Sequence, residues 1–243
     1  MFRFAARHGR WCLVAGLIAG LTLPSLAEAL RPYLPPMIAG LLFLAAFRIG
    51  PDAVVKGLKS DLGIVRVVLT FQLVVPLFVL GTVTLAGVSQ TAAALAAVLM
   101  FSAPSVTGSA NFAILMGVKP EGALRLMMVG TLAFPLTVLP VLFLIPALDT
   151  GSVLLAAARL LAVIACAGGA AFLLRRGRWK TLTHAQEQNL DGASAILLGV
   201  VVVGLMSAAG PLLLSAPLIF LVWLAFATGI NFGAQLLAWR FLR

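Results

Sequence analysis

The stretch Phe101-Ser-Ala-Pro-Ser-Val-Thr-Gly-Ser-Ala-Asn111 sets five small polar side chains, a proline and a glycine inside an apolar segment running from about Thr91 to Met116. Non-helical backbone at membrane depth survives only where protein or a water-filled cavity surrounds it. Pro104 removes an amide donor, and Gly108 with the serines favours a break. A helix broken at the midplane presents unpaired N–H and C=O groups to a solute, which suits a transporter's binding site. A proline-kinked packing helix rich in Ser and Thr is the competing reading of the same residues. The other polar groups at depth are Thr70 and Gln72, and further on Thr131 and Thr137. Carbonyls, hydroxyls and amides suit a small cation or the polar part of a solute. All seven acids and both histidines fall in loops or at span ends. No base stands beside the serines of 101–111 and no His/Cys cluster offers a metal site, so an enzyme is not expected.

These residues must be held by membrane helices. The chain has 243 residues, of which 62% are hydrophobic and 10% charged, with mean hydropathy +1.14. Continuous apolar runs between short charged loops predict an all-α, multi-spanning bundle and not a β-barrel. Eight spans are read: about Trp11–Ala27, Pro35–Phe47, Ile64–Ala86, Thr91–Met116, Ala123–Leu148, Ser152–Leu174, Ala193–Leu214 and Ala216–Phe241. With the N-terminus inside, all seventeen basic residues except Arg31 and Arg159 fall in cytoplasmic segments. That bias puts both termini in the cytoplasm of a cell inner (plasma) membrane protein. It also accounts for the net charge of +10 without a nucleic-acid partner. Arg159 lies inside the sixth span, where it snorkels or caps polar groups, with pairing to an anionic solute as the lesser reading. Arg7, Arg10, an apolar core and Ala27-Glu-Ala29 also fit a cleaved signal peptide. Retention is preferred, because the charge pattern does not need cleavage. Arg175–Asp191, the longest polar stretch, is read as a solvated cytoplasmic connector.

Several stretches together resemble the bile acid:sodium symporter family of secondary transporters. Leu23-Pro-Ser-Leu-Ala27, Leu34-Pro-Pro36 and Leu41-Leu-Phe-Leu44 look like its first two helices. Phe71-Gln-Leu-Val-Val-Pro76-Leu is similar to its third, where a glutamine precedes a proline by four. Ser102-Ala-Pro-Ser-Val-Thr-Gly-Ser109 is similar to the Ala-Pro-Gly-Gly-Thr-Ala-Ser-Asn run of its broken fourth helix, and Thr131-Leu-Ala-Phe-Pro135 with Pro140 to its fifth. The resemblance covers about residues 10–148. It implies two inverted five-helix repeats: residues 1–148 as the first, and 149–243 as a partial second with three helices. It also implies sodium-site positions at Gln72 and Ser109. Pro104, Ser105, Thr107, Gly108, Asn111 and Thr131 are then the substrate-facing residues. The implied cargo is a small organic anion or amphipathic solute.

The departures from that family bear on sodium. Asn111 stands one place late, after Ser109-Ala110, and Ala123 and Met127 fall where hydroxyl ligands are expected. The second broken helix of the family, which completes the sodium sites, has no counterpart. The expectation is therefore transport that is weakly dependent on sodium or independent of it, with no other cofactor. The alternative is a non-transporting remnant, or a subunit that needs a homo-oligomer or a partner chain to complete the fold.

Overall fold

The computed structural model describes residues 5–6, 8–51, 62–104, 121–145, 150–177, 179 and 182–241. Every regular element among them is helical: α1 Gly9–Thr22, α2 Pro24–Leu30, a 3-10 turn Arg31–Tyr33, α3 Leu34–Ile49, α4 Leu62–Leu69, a π-turn Thr70–Val74, α5 Val75–Leu85, α6 Ala92–Ser102, α7 Glu121–Phe143, α8 Thr150–Arg176, α9 His184–Leu205, α10 Ala209–Ser215 and α11 Pro217–Phe241. Four stretches are long and apolar enough to cross a membrane: Pro24–Arg48, Gly63–Leu85, His184–Leu205 and Pro217–Leu236. The pair Arg125–Thr131 and Leu136–Phe143, bent by 51°, makes a fifth if it is one span. The described residues thus carry only helices, several of them apolar and span-like, as a membrane protein requires.

Two boundaries differ from the sequence reading. Between the expected first and second spans the chain does not loop out over 28–34. It breaks at Leu23, and Pro24 opens a helical run that continues to Ile49. Proline cannot extend α1 but is preorganised for a first turn, so it ends one helix and starts the next. The expected seventh span starts nine residues earlier, at His184. Thr183 and Gln186 form a reciprocal capping box there: the Gln186 N–H donates to Thr183 Oγ1, and the Thr183 N–H donates to Gln186 Oε1 at 2.9 Å. Such a cap satisfies two of the helix's orphan donors. Half of the expected connector is therefore helix.

By contacts the chain divides into two units, Met1–Pro51 with Val163–Arg243, and Asp52–Ala162. In the first, α9 is the axis, with α1, α2 and α3 packed on it. Gly9 lies by Ala195, Gly16 by Gly199 and Gly20 by Val203, so α1 and α9 run parallel. Leu34 lies by Gly204, Gly40 by Leu197, and Arg48 pairs with Asp191, so α3 runs antiparallel to α9. The α1–α9 joint is built from glycines. A methyl at Gly16 would collide with the Gly199 carbonyl group, and one at Gly199 would come within 2.9 Å of the Cys12 oxygen. A methyl at Gly20 would meet Met206 Cβ at 2.7 Å. Small residues at such contacts let backbones approach where lipid offers no hydrophobic drive for association. The Arg48 guanidinium grips Asp191 with both Nε and Nη2, the latter donating to Oδ2 at 3.0 Å. Both side chains are about 40% exposed, so the pair contributes up to about 1 kcal/mol.

In the second unit, α5 and α6 form a hairpin. Gly87, at φ +70, supplies the left-handed residue that turns the chain. The Val88 N–H closes that turn on the Val83 carbonyl. Leu80, Val98, Val141 and Ile145 form the buried core, with Leu73, Leu77 and Leu95 packed around it. Thr91 caps α6 through its hydroxyl, which accepts from the Ala94 N–H.

Candidate functional site

The site grows from two irregular helices of the second unit. Pro76 has no N–H to give the Gln72 carbonyl, as an α-helix would require. The chain widens just upstream: the Val75 N–H donates to the Thr70 carbonyl, closing the π-turn Thr70–Val74. Single π-turns inside α-helices are frequent at functional sites. Gln72 lies in the middle of this turn and is only 4% exposed.

The facing element is α7. Its bend falls between Thr131 and Leu136. Pro135 lies in that interval and leaves the Thr131 carbonyl without its α-helical donor. Gly130 and Thr137 are seven residues apart, two turns, and so share a face. Both are buried and both meet Gln72. The Thr137 hydroxyl lies 3.2 Å from Gln72 Oε1 as a donor. It also lies 3.3 Å from the Ala133 carbonyl and 3.2 Å from that of Phe134. One hydroxyl proton serves one of these acceptors at a time, so Thr137 can exchange between its own helix and Gln72. At Gly130 a methyl would lie 2.7 Å from Gln72 Nε2; the absent side chain is the space the amide occupies.

The end of α6 packs near the π-turn. Ser102 is 1% exposed, and its hydroxyl donates to the Val98 carbonyl at 2.8 Å. The helix stops there. Ala103 is extended at ψ 140, the conformation that a following proline favours. The helix thus ends just ahead of Pro104, which is half-buried, and the rest of the expected break lies outside the described residues. Thr131 is half-buried and bonds the Met127 carbonyl at 2.8 Å. Ser105, Thr107, Gly108, Ser109 and Asn111 lie outside the described residues.

What stands together is therefore Gln72, Thr137 and Gly130, with the buried Ser102 end of α6 packed on the same turn. Its polar groups are an amide, hydroxyls and backbone carbonyls, a set that can ligate or hydrogen-bond but cannot transfer protons near neutrality. Thr137 is expected at depth from the sequence without a role, and Gly130 is not among the expected site residues. The seven-residue spacing of the two, opposite a buried glutamine, is the signal that could have found them. Comparison with family models, with curated proteins and with solved structures found no match for this chain.

Proposed function

We propose that this chain is a secondary-transporter-like membrane protein of the bile acid:sodium symporter type, moving a small organic anion or amphipathic solute. One observation carries the reading: a buried, neutral amide at a π-turn, set against a bent helix and the stopped end of α6. An amide in hydrocarbon costs about 4–8 kcal/mol on the cyclohexane scale unless it is bonded. A membrane helix that keeps one, opposite a glycine that makes room for it, is built around the polar group. In this reading Gln72, Ser102, Pro104 and Thr131 border the solute path, with Ser105, Thr107, Gly108, Ser109 and Asn111 continuing it. Sodium coupling is weak or absent, because the site has no formal negative charge to offset the ion's desolvation. The test is uptake of a labelled bile acid conjugate by proteoliposomes, with sodium or choline outside. Uptake of similar size in both, lost in Gln72→Leu, is expected. Steep, saturable dependence on sodium would overturn the sodium part, and no uptake under either condition would overturn the whole.

The same reading takes the layout as eight spans, a five-helix repeat and an inverted, partial second one of three helices, in the cell inner membrane with cytoplasmic termini. The charge bias supports it. So does the parallel run of α1 and α9, since a first and a seventh span enter from the same side. Cysteines introduced singly into a Cys12→Ser/Cys166→Ser background would test it. One at Gln90 should label only from outside and one at Gln188 only from inside; the reverse pattern would invert the layout.

A further inference from the structure

Helix α11 is apolar along most of its length, yet within its own unit it packs closely only on α10 among the described residues. Its span Pro217–Leu236 has no buried residue. Within it stand two exposed amides, Asn231 and Gln235. Gln235 Nε2 donates to Asn231 Oδ1 at 2.7 Å. That bond uses one donor and one acceptor of the pair and leaves both Asn231 N–H groups, the second Gln235 N–H and Gln235 Oε1 for another partner. With Arg240 at the membrane interface, Asn231 lies about 13 Å along the axis from it. That depth is well inside a hydrocarbon core about 30 Å thick, where unpaired amide groups are costly.

The amides are not scattered. Leu221, Leu224, Thr228, Asn231 and Gln235 recur at alternating spacings of four and three, the seam of a helix that packs on another helix. Leu221 and Leu224 are 54% and 50% exposed, and Thr228 is exposed as well. We propose that this seam is the contact face between two copies of the chain. The occupant follows from the chemistry. An amide carries donor and acceptor together, so a seam bearing Asn and Gln is complementary to itself. Copies of one membrane protein insert with one orientation, set by their basic loops. Their α11 helices are then parallel and level, and Asn231 meets Asn231 while Gln235 meets Gln235. A different protein would need matching amides at the same depths. The opposite face of α11 carries Gly229 and Gly233, with nothing within 4 Å of either. It is the competing contact face, and a methyl added at either glycine meets nothing among the described residues of the protomer.

The test uses the full chain in lipid bilayers, with its oligomeric state read by single-molecule photobleaching as the protein-to-lipid ratio is lowered. Dimers are expected in the wild type. Asn231→Ala/Gln235→Ala should require at least about tenfold more protein per lipid for the same dimer fraction. Gly233→Leu should leave the dimer unchanged. Thr228→Cys, in the Cys12→Ser/Cys166→Ser background, should give a disulfide-linked dimer on mild oxidation. Unaltered thermal unfolding of each protomer shows that the fold is kept. Monomers at every ratio, dimers indifferent to the amide substitutions, or dimers broken by Gly233→Leu would each overturn the proposal.

Discussion

The α1–α9 joint and the joint between the π-turn and α7 solve one problem in opposite ways. Lipid tails are as apolar as leucine, so helices in a bilayer associate through close packing and polar bonds. The first joint uses packing alone: Gly16, Gly20 and Gly199 bring backbone against backbone. The second uses a single glycine, Gly130, to admit the Gln72 amide, which Thr137 reaches across the interface. A joint of backbones has one arrangement. A joint resting on a hydroxyl with three acceptors within about 3.3 Å has several of similar energy. The rigid joint suits a scaffold and the adjustable one suits a site that must bind and release.

Substitutions can pull the two apart. The largest effect is expected at the backbone joint. Gly199→Leu has no flexible neighbour to displace, since Cys12 presents its carbonyl oxygen, so a loss of about 3 kcal/mol or more is expected. A sharply lowered Tm in detergent, with little folded protein recovered, would show it; a Tm near wild type would mean that the joint can open. Gly130→Ala comes next. Here the obstacle is the end of a side chain, so Gln72 can swing away and lose its bond to Thr137, at about 1–2 kcal/mol. In a double-mutant cycle with Gln72→Leu most of that loss should vanish, and additive losses would show that the amide is not what fills the space.

Gln72→Leu alone is expected to move stability by less than about 1.5 kcal/mol, because Thr137 keeps the Ala133 and Phe134 carbonyls as acceptors. Its effect belongs on uptake, so a large fall in Tm would assign the glutamine to structure instead. The smallest effect is expected at Arg48→Ala. Both members of the ion pair are half-exposed, and a change within about 1 kcal/mol, shrinking further in high salt, should appear in thermal unfolding.

Helical class and several limits were legible in the sequence. The third expected span, Ile64–Ala86, meets α4 through α5, and the eighth meets α11 within a residue. The stop before Pro104 followed from proline's effect on its own N–H and on the preceding residue. The start of α9 was hidden because its cap lies in a polar stretch, and because Asp191 is neutralised by Arg48, 143 residues away in the chain. The glycines of α1 are visible as a spacing, but only Gly199 gives that spacing a partner. Of the candidate site, Gln72 was legible as an amide that needed bonds. Its partners were not, since hydropathy does not record which face of a bent helix looks back at it.

The π-turn makes the third helix sensitive to length as well as to chemistry. Its wide turn holds one residue more than an α-turn does. Removing any one residue of Thr70–Val74 would let the ordinary register close through Pro76's upstream neighbours. Five residues of π-turn rotate the chain about as far as four α-helical residues do, so α4 and α5 would keep their relative facing. Val68, buried at 3% exposure, would keep its place, while the widened turn that carries Gln72 would be lost. Among descendants of this chain, five residues between Leu69 and Val75 is therefore the number to watch: a one-residue deletion there would spare the helix's packing on α7 and erase only the widened turn.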